Sequence, residues 1–254
     1  MKKFTHDMII WSADFEKDQK EQIKLIVDSK VLPEGTVIKL DRTFFEKYDK
    51  DFISYCQDKG YPVFCDAKIT EIPKKILDIT DIYLEHKPFM LNIMGDSCNT
   101  PIVSDEDENN VSIFKRFADH CKEAGTKSCI VTVLTSKSPE MCKYEYQREP
   151  IDQVLQFVSL AHDAGMTDIV CSPKEAAAIR TMDCYRNMEV NTPGVRLPGS
   201  SKDDQQRIMT PYDALQAGAK RLVIGRDLTR GDGDIIERIK RNYNRIVENI
   251  ETGK

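Results

Sequence analysis

Short apolar runs alternate along the chain with longer stretches whose apolar positions recur three or four residues apart. The first pattern suits buried strands and the second amphipathic helices. Met8–Ala13 predicts a first strand, and Lys17–Ser29 a helix with Ile23, Ile26 and Val27 as its stripe. Thr36–Leu40 is a second strand carrying Lys39; Thr43 can then cap a helix bearing Phe44, Phe45, Tyr48 and Phe52. Pro62 and the run Val63, Phe64, Cys65 make a third strand. Pro73 opens the next helix, where its missing N–H costs nothing, and Lys74–His86 turns Ile76, Ile79 and Tyr83 inward. Phe89–Met94 and Ser128–Leu134 read as strands, with a helix over Val111–Ala124 between them. The loop Lys137–Pro150 has room for a short helix, and Ile151–Ala164 forms another. Asp168–Cys171 is a sixth strand, followed by Ser172 as cap and Pro173 as first residue of a brief helix over Lys174–Arg180. Glu189–Thr192 and Arg221–Ile224 are the last strands, separated by a helix that starts at Pro211 and closes at Gly218. Asp234–Ile250 ends the pattern as a helix with Ile235, Ile236, Ile239, Tyr243, Ile246 and Ile250 on one face.

Eight strand–helix alternations without a linker or composition break predict one α/β domain over residues 1–254, a closed (β/α)8 TIM barrel. A doubly wound open sheet is the alternative, but it more often carries a Gly-x-Gly-x-x-Gly turn after its first strand, and none stands there. Hydrophobic content of 40% and charged content of 31% suit a soluble globular protein. No apolar run is long enough to span a bilayer, and the start Met-Lys-Lys-Phe-Thr-His lacks a signal peptide's core, so a cytoplasmic protein without membrane contact is expected. The eight cysteines form no Cys-x-x-Cys pair and read as reduced thiols, with neither disulfides nor zinc. His6, His86, His120 and His162 are scattered without ligand spacing, so no metal site is expected. A net charge of −5 argues against a nucleic-acid surface; an anionic ligand would need locally placed cations. The polar run Ser104–Asn110 reads as a solvated loop.

Barrels of this kind gather functional groups at the C-terminal ends of their strands and often hold phosphate in the loops after strands seven and eight. Asp14, Lys39, Asp66, Lys68, Thr135, Arg196 and Arg226 all fall at such ends. Gly194 and Gly225 fit as places where a phosphate needs close backbone approach. Asp66 and Lys68 stand two apart, so strand alternation sends both to one side. Glu71, at odd offset and just before Pro73, leaves toward a different place. The competing reading of this stretch is a solvated strand end with an incidental ion pair.

Asp66-Ala-Lys-Ile-Thr-Glu-Ile-Pro73 resembles the Asp-x-Lys-x-x-Asp-Ile-Pro signature of orotidine 5′-phosphate decarboxylases. Val131-Thr-Val-Leu-Thr-Ser136 is similar to their fifth-strand motif. Thr192-Pro-Gly-Val-Arg196, Asp204-Gln205 with Met209-Thr-Pro211, and Val223-Ile-Gly-Arg226 resemble their phosphate-side motifs in order and spacing. The resemblance implies a homodimer with shared active sites, a small nucleotide substrate, and neither metal nor organic cofactor. It implies that Asp14 bonds the ribose and Lys39 links ribose to the charge array. Asp66 would face the substrate carboxylate, Lys68 would protonate C6, and Glu71 would serve the partner's site. Thr135 would contact the pyrimidine amide, and Gln205 would close over the ligand. Arg196 and Arg226 would lie on the phosphate side, with Gly225 beside them.

The chain departs from the family pattern at four places. Glu71 replaces Asp, and Lys75 stands where a Thr is usual. Asp41 replaces Gly, and Asn92-Ile-Met-Gly95 stands for Asn-Val-His-Ala. Two other functions therefore compete with decarboxylation of orotidine 5′-phosphate. One is a sugar-phosphate decarboxylase or synthase of the same superfamily, which would rely on Mg²⁺ and leave Thr135 and Gln205 without a task. The other is a non-catalytic barrel that binds a nucleotide monophosphate.

Overall fold

The computed structural model describes residues 3–97, 112–199 and 208–253 and contains the expected closed barrel. In chain order the elements are β1 (Ile9–Ser12), α1 (Gln19–Ser29), β2 (Val37–Asp41), α2 (Arg42–Lys47), α3 (Asp51–Asp58), β3 (Val63–Ile69) and α4 (Pro73–Leu84). β4 (Met90–Met94), α5 (Ile113–Glu123), β5 (Lys127–Val131), α6 (Pro139–Tyr146), α7 (Pro150–Asp163), β6 (Asp168–Val170) and α8 (Pro173–Arg180) follow. The chain ends with β7 (Glu189–Thr192), α9 (Pro211–Gln216), β8 (Arg221–Ile224), α10 (Arg226–Thr229) and α11 (Ile235–Thr252). Each strand pairs in parallel with its sequence neighbour, and β8 closes on β1 through Ile10↔Val223.

The stripes read from the sequence are the faces that pack on the barrel. Ile23, Ile26 and Val27 of α1 are buried, as are Ile239, Tyr243, Ile246 and Ile250 of α11. Short parallel strands buried on both faces need such cover to exclude water from their outer side. Inside the barrel, Ile10, Val37, Phe64, Met90 and Cys129 form a separate apolar cluster, with Val170 and Val223 packed against it. This plug divides the interior into two polar ends.

Four local expectations change. Thr43 does not cap a helix; Asp41 does, accepting from the Phe44 amide at 2.9 Å, while the Thr43 hydroxyl donates to the same carboxylate. The aromatic stretch after β2 is two helices rather than one, because the chain turns extended at Tyr48. Phe44 still meets Phe52 across the break, with ring centroids 5.2 Å apart. β3 runs four residues further than the apolar run, through Asp66 and Lys68 to Ile69. The extra turn α10 directly after β8 has no apolar periodicity long enough to announce it.

Candidate active site

At the C-terminal end of the barrel the interior side chains above the plug are polar. Alternation continues the inward row of each strand: Ile10 to Ser12, Val37 to Lys39, Phe64 to Asp66, Met90 to Asn92. Asp66 Oδ2 accepts from Lys39 Nζ at 2.9 Å and from Lys68 Nζ at 2.7 Å, and Oδ1 accepts from Asn92 Nδ2 at 2.6 Å. Lys39 also lies 3.8 Å from Asp14, whose other oxygen accepts from Ser12 Oγ at 2.6 Å. Acid and base thus alternate in space as Asp14, Lys39, Asp66, Lys68.

Burial by itself would raise the Asp66 carboxyl, but the fields of Lys39 and Lys68 and their hydrogen bonds outweigh it and hold the group well below its ordinary range. Burial would likewise lower Lys39; Asp66 first, then Asp14, holds it above the usual lysine range instead. Both groups are therefore ionised at neutral pH. A fixed row of buried charges costs solvation energy, and an enzyme gains from it where charge develops during reaction.

Lys68 reaches Asp66 by a route that simple alternation does not describe. Its backbone has φ +44°, and the pairing of β3 with β4 shifts between Cys65↔Leu91 and Ile69↔Ile93. This bulge places more residues on β3 than on β4 and re-aims the Lys68 side chain over the cavity mouth. The Lys68 amide, freed from the regular ladder, donates to Asn92 Oδ1 at 2.7 Å. Sequence reading treated Asn92 only as part of a departing motif. The signal that could have found it is the amide itself: an Asn inside Met90-Leu-Asn-Ile-Met94 needs buried partners.

A cavity of about 230 Å³ opens here, lined by Ser12, Lys39, Asp66, Lys68, Thr135 and Pro193 among others. Its floor and walls are apolar, from Phe64, Val131, Val133, Val170 and Val223. A larger cavity of about 850 Å³ lies at the opposite, N-terminal end, between Phe4, Arg186, Tyr212 and Ile250. Size does not make that one the site. The smaller one is where Lys39 and Lys68 converge on the ionised Asp66, all three lining the same cavity.

The remaining expected residues fall at different distances from the array. Asp14 and Thr135 border it; Arg226 is exposed on α10, just beyond β8, with Gly225 before it. Arg196 is buried, 3.8 Å from Asp227, and donates to the Val195 carbonyl at 2.9 Å, so its guanidinium braces the loop after β7. Gly194 has φ +78°, and this left-handed turn accounts for glycine without any ligand. Glu71 is exposed, its carboxylate accepting from the Ile72 amide. Gln205 and the acidic run at 104–110 lie outside the described residues. Of the departures, Asp41 is the helix cap described above, and Lys75 pairs with Asp78 at 3.1 Å along its own helix.

The profile of the orotidine 5′-phosphate decarboxylase / HUMPS family matches residues 7–241. The chain is 31% identical over 249 residues to orotidine 5′-phosphate decarboxylase of Dictyoglomus thermophilum, covering 96% of this chain and 98% of that one. It is 31% identical over 235 residues to the enzyme of the same name from Tolumonas auensis, covering 89% and 93%. Among solved structures, orotidine 5′-phosphate decarboxylase of Lactobacillus acidophilus superposes with a TM-score of 0.74 at 21% identity, over 96% of this chain and 99% of that one.

Proposed function

The chain belongs to the orotidine 5′-phosphate decarboxylase / HUMPS family, and from that premise we propose that it converts orotidine 5′-phosphate to uridine 5′-phosphate and CO₂, a step of pyrimidine biosynthesis. The observation that carries this reading is the Asp66 carboxylate clamped between Lys39 and Lys68 at the cavity mouth. Losing CO₂ from C6 leaves an electron pair on a ring carbon with little delocalisation. The carbon–carbon bond breaks, its pair stays on C6, and the Lys68 ammonium delivers the proton that quenches it. A positioned general acid contributes about 10²–10⁴ in rate. Lys39 and Lys68 supply a preformed positive field for the developing carbanion. Asp66 faces the departing carboxylate, which disfavours the bound ground state more than the transition state.

Asp14 holds the ribose in this reading and Thr135 the pyrimidine amide. Arg226 grips the phosphate past the open backbone of Gly225, and Arg196 supports that loop from below. Gln205 closes over the ligand. Remote phosphate contacts then hold the ring against the unfavourable carboxylate pair. Glu71 completes the site of a second copy in a homodimer.

The sugar-phosphate reading requires a divalent cation at the acid. Oδ2 of Asp66 is filled by two ammonium groups and Oδ1 accepts from Asn92. A cation would therefore meet two lysines already neutralising the acid and could approach only the remaining lone pair of Oδ1. The test follows the fall in absorbance as orotidine 5′-phosphate is consumed, with and without EDTA. Turnover unaffected by chelator is expected. Turnover abolished by chelator favours the metal-dependent reading, and binding of the nucleotide without turnover favours a sensor.

A further inference from the structure

We propose that Asn92 is the positioning residue that sets both members of the Asp66–Lys68 pair, by tying the carboxylate of one to the backbone of the other. The inference rests on the decarboxylase reading for its consequence and on geometry for its substance. Asn92 has no exposed surface, and its amide is spent on two contacts. Nδ2 donates to Asp66 Oδ1 at 2.6 Å, and Oδ1 accepts from the Lys68 N–H at 2.7 Å. These partners define the amide's orientation. A flipped amide would oppose its NH₂ to the Lys68 N–H and its oxygen to the Asp66 carboxylate, losing both bonds.

The consequence is mechanical. Lys68 sits at φ +44°, a conformation that costs a non-glycine residue energy and persists only where its surroundings hold it. In the register-shifted segment the regular ladder with β4 is interrupted, and Asn92 supplies the missing acceptor. The same side chain holds Asp66 so that its other oxygen meets both ammonium groups. Asn92 touches no reacting atom. It determines where the proton donor starts and where the repelling carboxylate stands, and a misplacement near 1 Å can cost about 10²-fold in rate.

Asn92→Ala and Asn92→Asp test this. With Asn92→Ala, kcat should fall by about 10²-fold while KM changes little. With Asn92→Asp, the introduced carboxyl would face Lys39 from β2, Asp66 and Lys68 from β3, and Cys129 from β5, a thiol that burial pushes well up and keeps neutral. Burial and the adjacent Asp66 carboxylate raise its pKa, against the lowering fields of Lys39 and Lys68, which are already paired to Asp66. Protonated, it donates to Asp66 and accepts from the Lys68 amide, reproducing the asparagine; ionised, it repels Asp66. The ratio of kcat for Asn92→Asp to wild type should therefore fall as pH rises, by about tenfold or more between pH 5.5 and 8.5 for a donor lost in the site. The Lys68 amide resonance of ¹⁵N-labelled Asn92→Asp should move with the same midpoint. A flat ratio with an unmoving Lys68 amide overturns the proposal, as does an Asn92→Ala enzyme whose kcat stays within about twofold of wild type. If Asn92→Ala does not fold, Asn92→Asp decides alone. If wild-type protein turns over no orotidine 5′-phosphate, the proposed function fails, and the amide titration still decides about Asn92.

Discussion

Two charge clusters occupy the two ends of one barrel, separated by the apolar plug around Phe64 and Met90. At the C-terminal end stand Asp14, Lys39, Asp66 and Lys68. At the N-terminal end Arg221 pairs with Asp168 at 2.9 Å and Glu189 at 2.5 Å, while Lys127 lies 3.0 Å from Glu189 and 3.5 Å from Asp168. Both clusters alternate two acids with two bases, so sign and count do not tell them apart. Access does. Lys39, Asp66 and Lys68 all line one cavity, with Lys68 40% exposed there. Of the lower four only Glu189 lines a cavity: Asp168 is sealed, Arg221 is 3% exposed and stacked 5.2 Å from the Phe89 ring, and Lys127 and Glu189 are each 31% exposed. The lower cluster spends its charges on itself and on Asn191; the upper one leaves an ammonium at a mouth where a ligand can take it over. A buried ion network suits chemistry where several of its members converge on one cavity.

The contrast predicts opposite phenotypes. Lys68→Ala should reduce kcat by about 10²–10⁴ through loss of the proton donor, with the thermal midpoint nearly unchanged because the side chain is partly exposed. Mixing that chain with Glu71→Ala should restore activity in up to about one site in four for freely exchanging equimolar chains, as two-fold symmetry requires. No recovery despite demonstrated exchange would contradict the shared site. Asp168→Ala should do the reverse. Leaving Arg221 buried without its main partner costs about 3–5 kcal/mol in denaturant unfolding, while kcat of the folded protein stays near wild type. A catalytic defect there without a stability loss would break the comparison.

β8 carries the same contrast within six residues, with Arg221 sealed at its start and Arg226 exposed just past its end. Arg226→Ala should weaken binding of phosphorylated ligands by about 1.5–3 kcal/mol, the range for a hydrogen bond to a charged group, and barely affect the nucleoside. Equal weakening of both would remove Arg226 from the phosphate site.

The smallest expected effect is in acid. Burial would raise Glu189, but its bonds to Lys127 and Arg221 hold it below the ordinary 4.5, and Asp66 is held below 3.8 by its lysines. Both contributions are complete above those unfolded values and disappear as pH falls through the folded ones, where the unfolded chain binds more protons. Glu189→Gln should flatten the stability profile just below pH 4.5, and Asp66→Asn only below about pH 3.8. Unfolding measured across that range checks the order.

The barrel and most of its upper array were legible because both rest on local pattern. Period-two and period-four repeats state which faces are buried, and polar residues just past an apolar run mark strand ends. That logic put Lys39, Asp66 and Lys68 at one rim, although a bulge rather than strand alternation brings Lys68 onto Asp66. It read Glu71 as leaving for a different place, and the structure finds that side chain exposed, accepting from the Ile72 amide. Other facts depend on neighbours distant in sequence. Asp168 was one polar residue at the start of a predicted strand, and only closure of β6 to β7 and β8 delivers Asn191 and Arg221 to it. Arg196 was expected on the phosphate side, and only the fold shows that it also lies buried 3.8 Å from Asp227. Gly194 was read as room for a ligand, and its backbone turn supplies a reason of its own.

The sequence by itself determined the eight alternations, the polar rim and the acid–base order along β2 and β3, since each is a property of residues within one element. Tertiary structure decided that Lys68 reaches Asp66 through a bulge and that Asn92 sits under both. It also decided which of two similar ion clusters turns three of its members to one cavity. Those outcomes turn on register, on chain closure and on what covers each end, and none of these is a property of a segment alone.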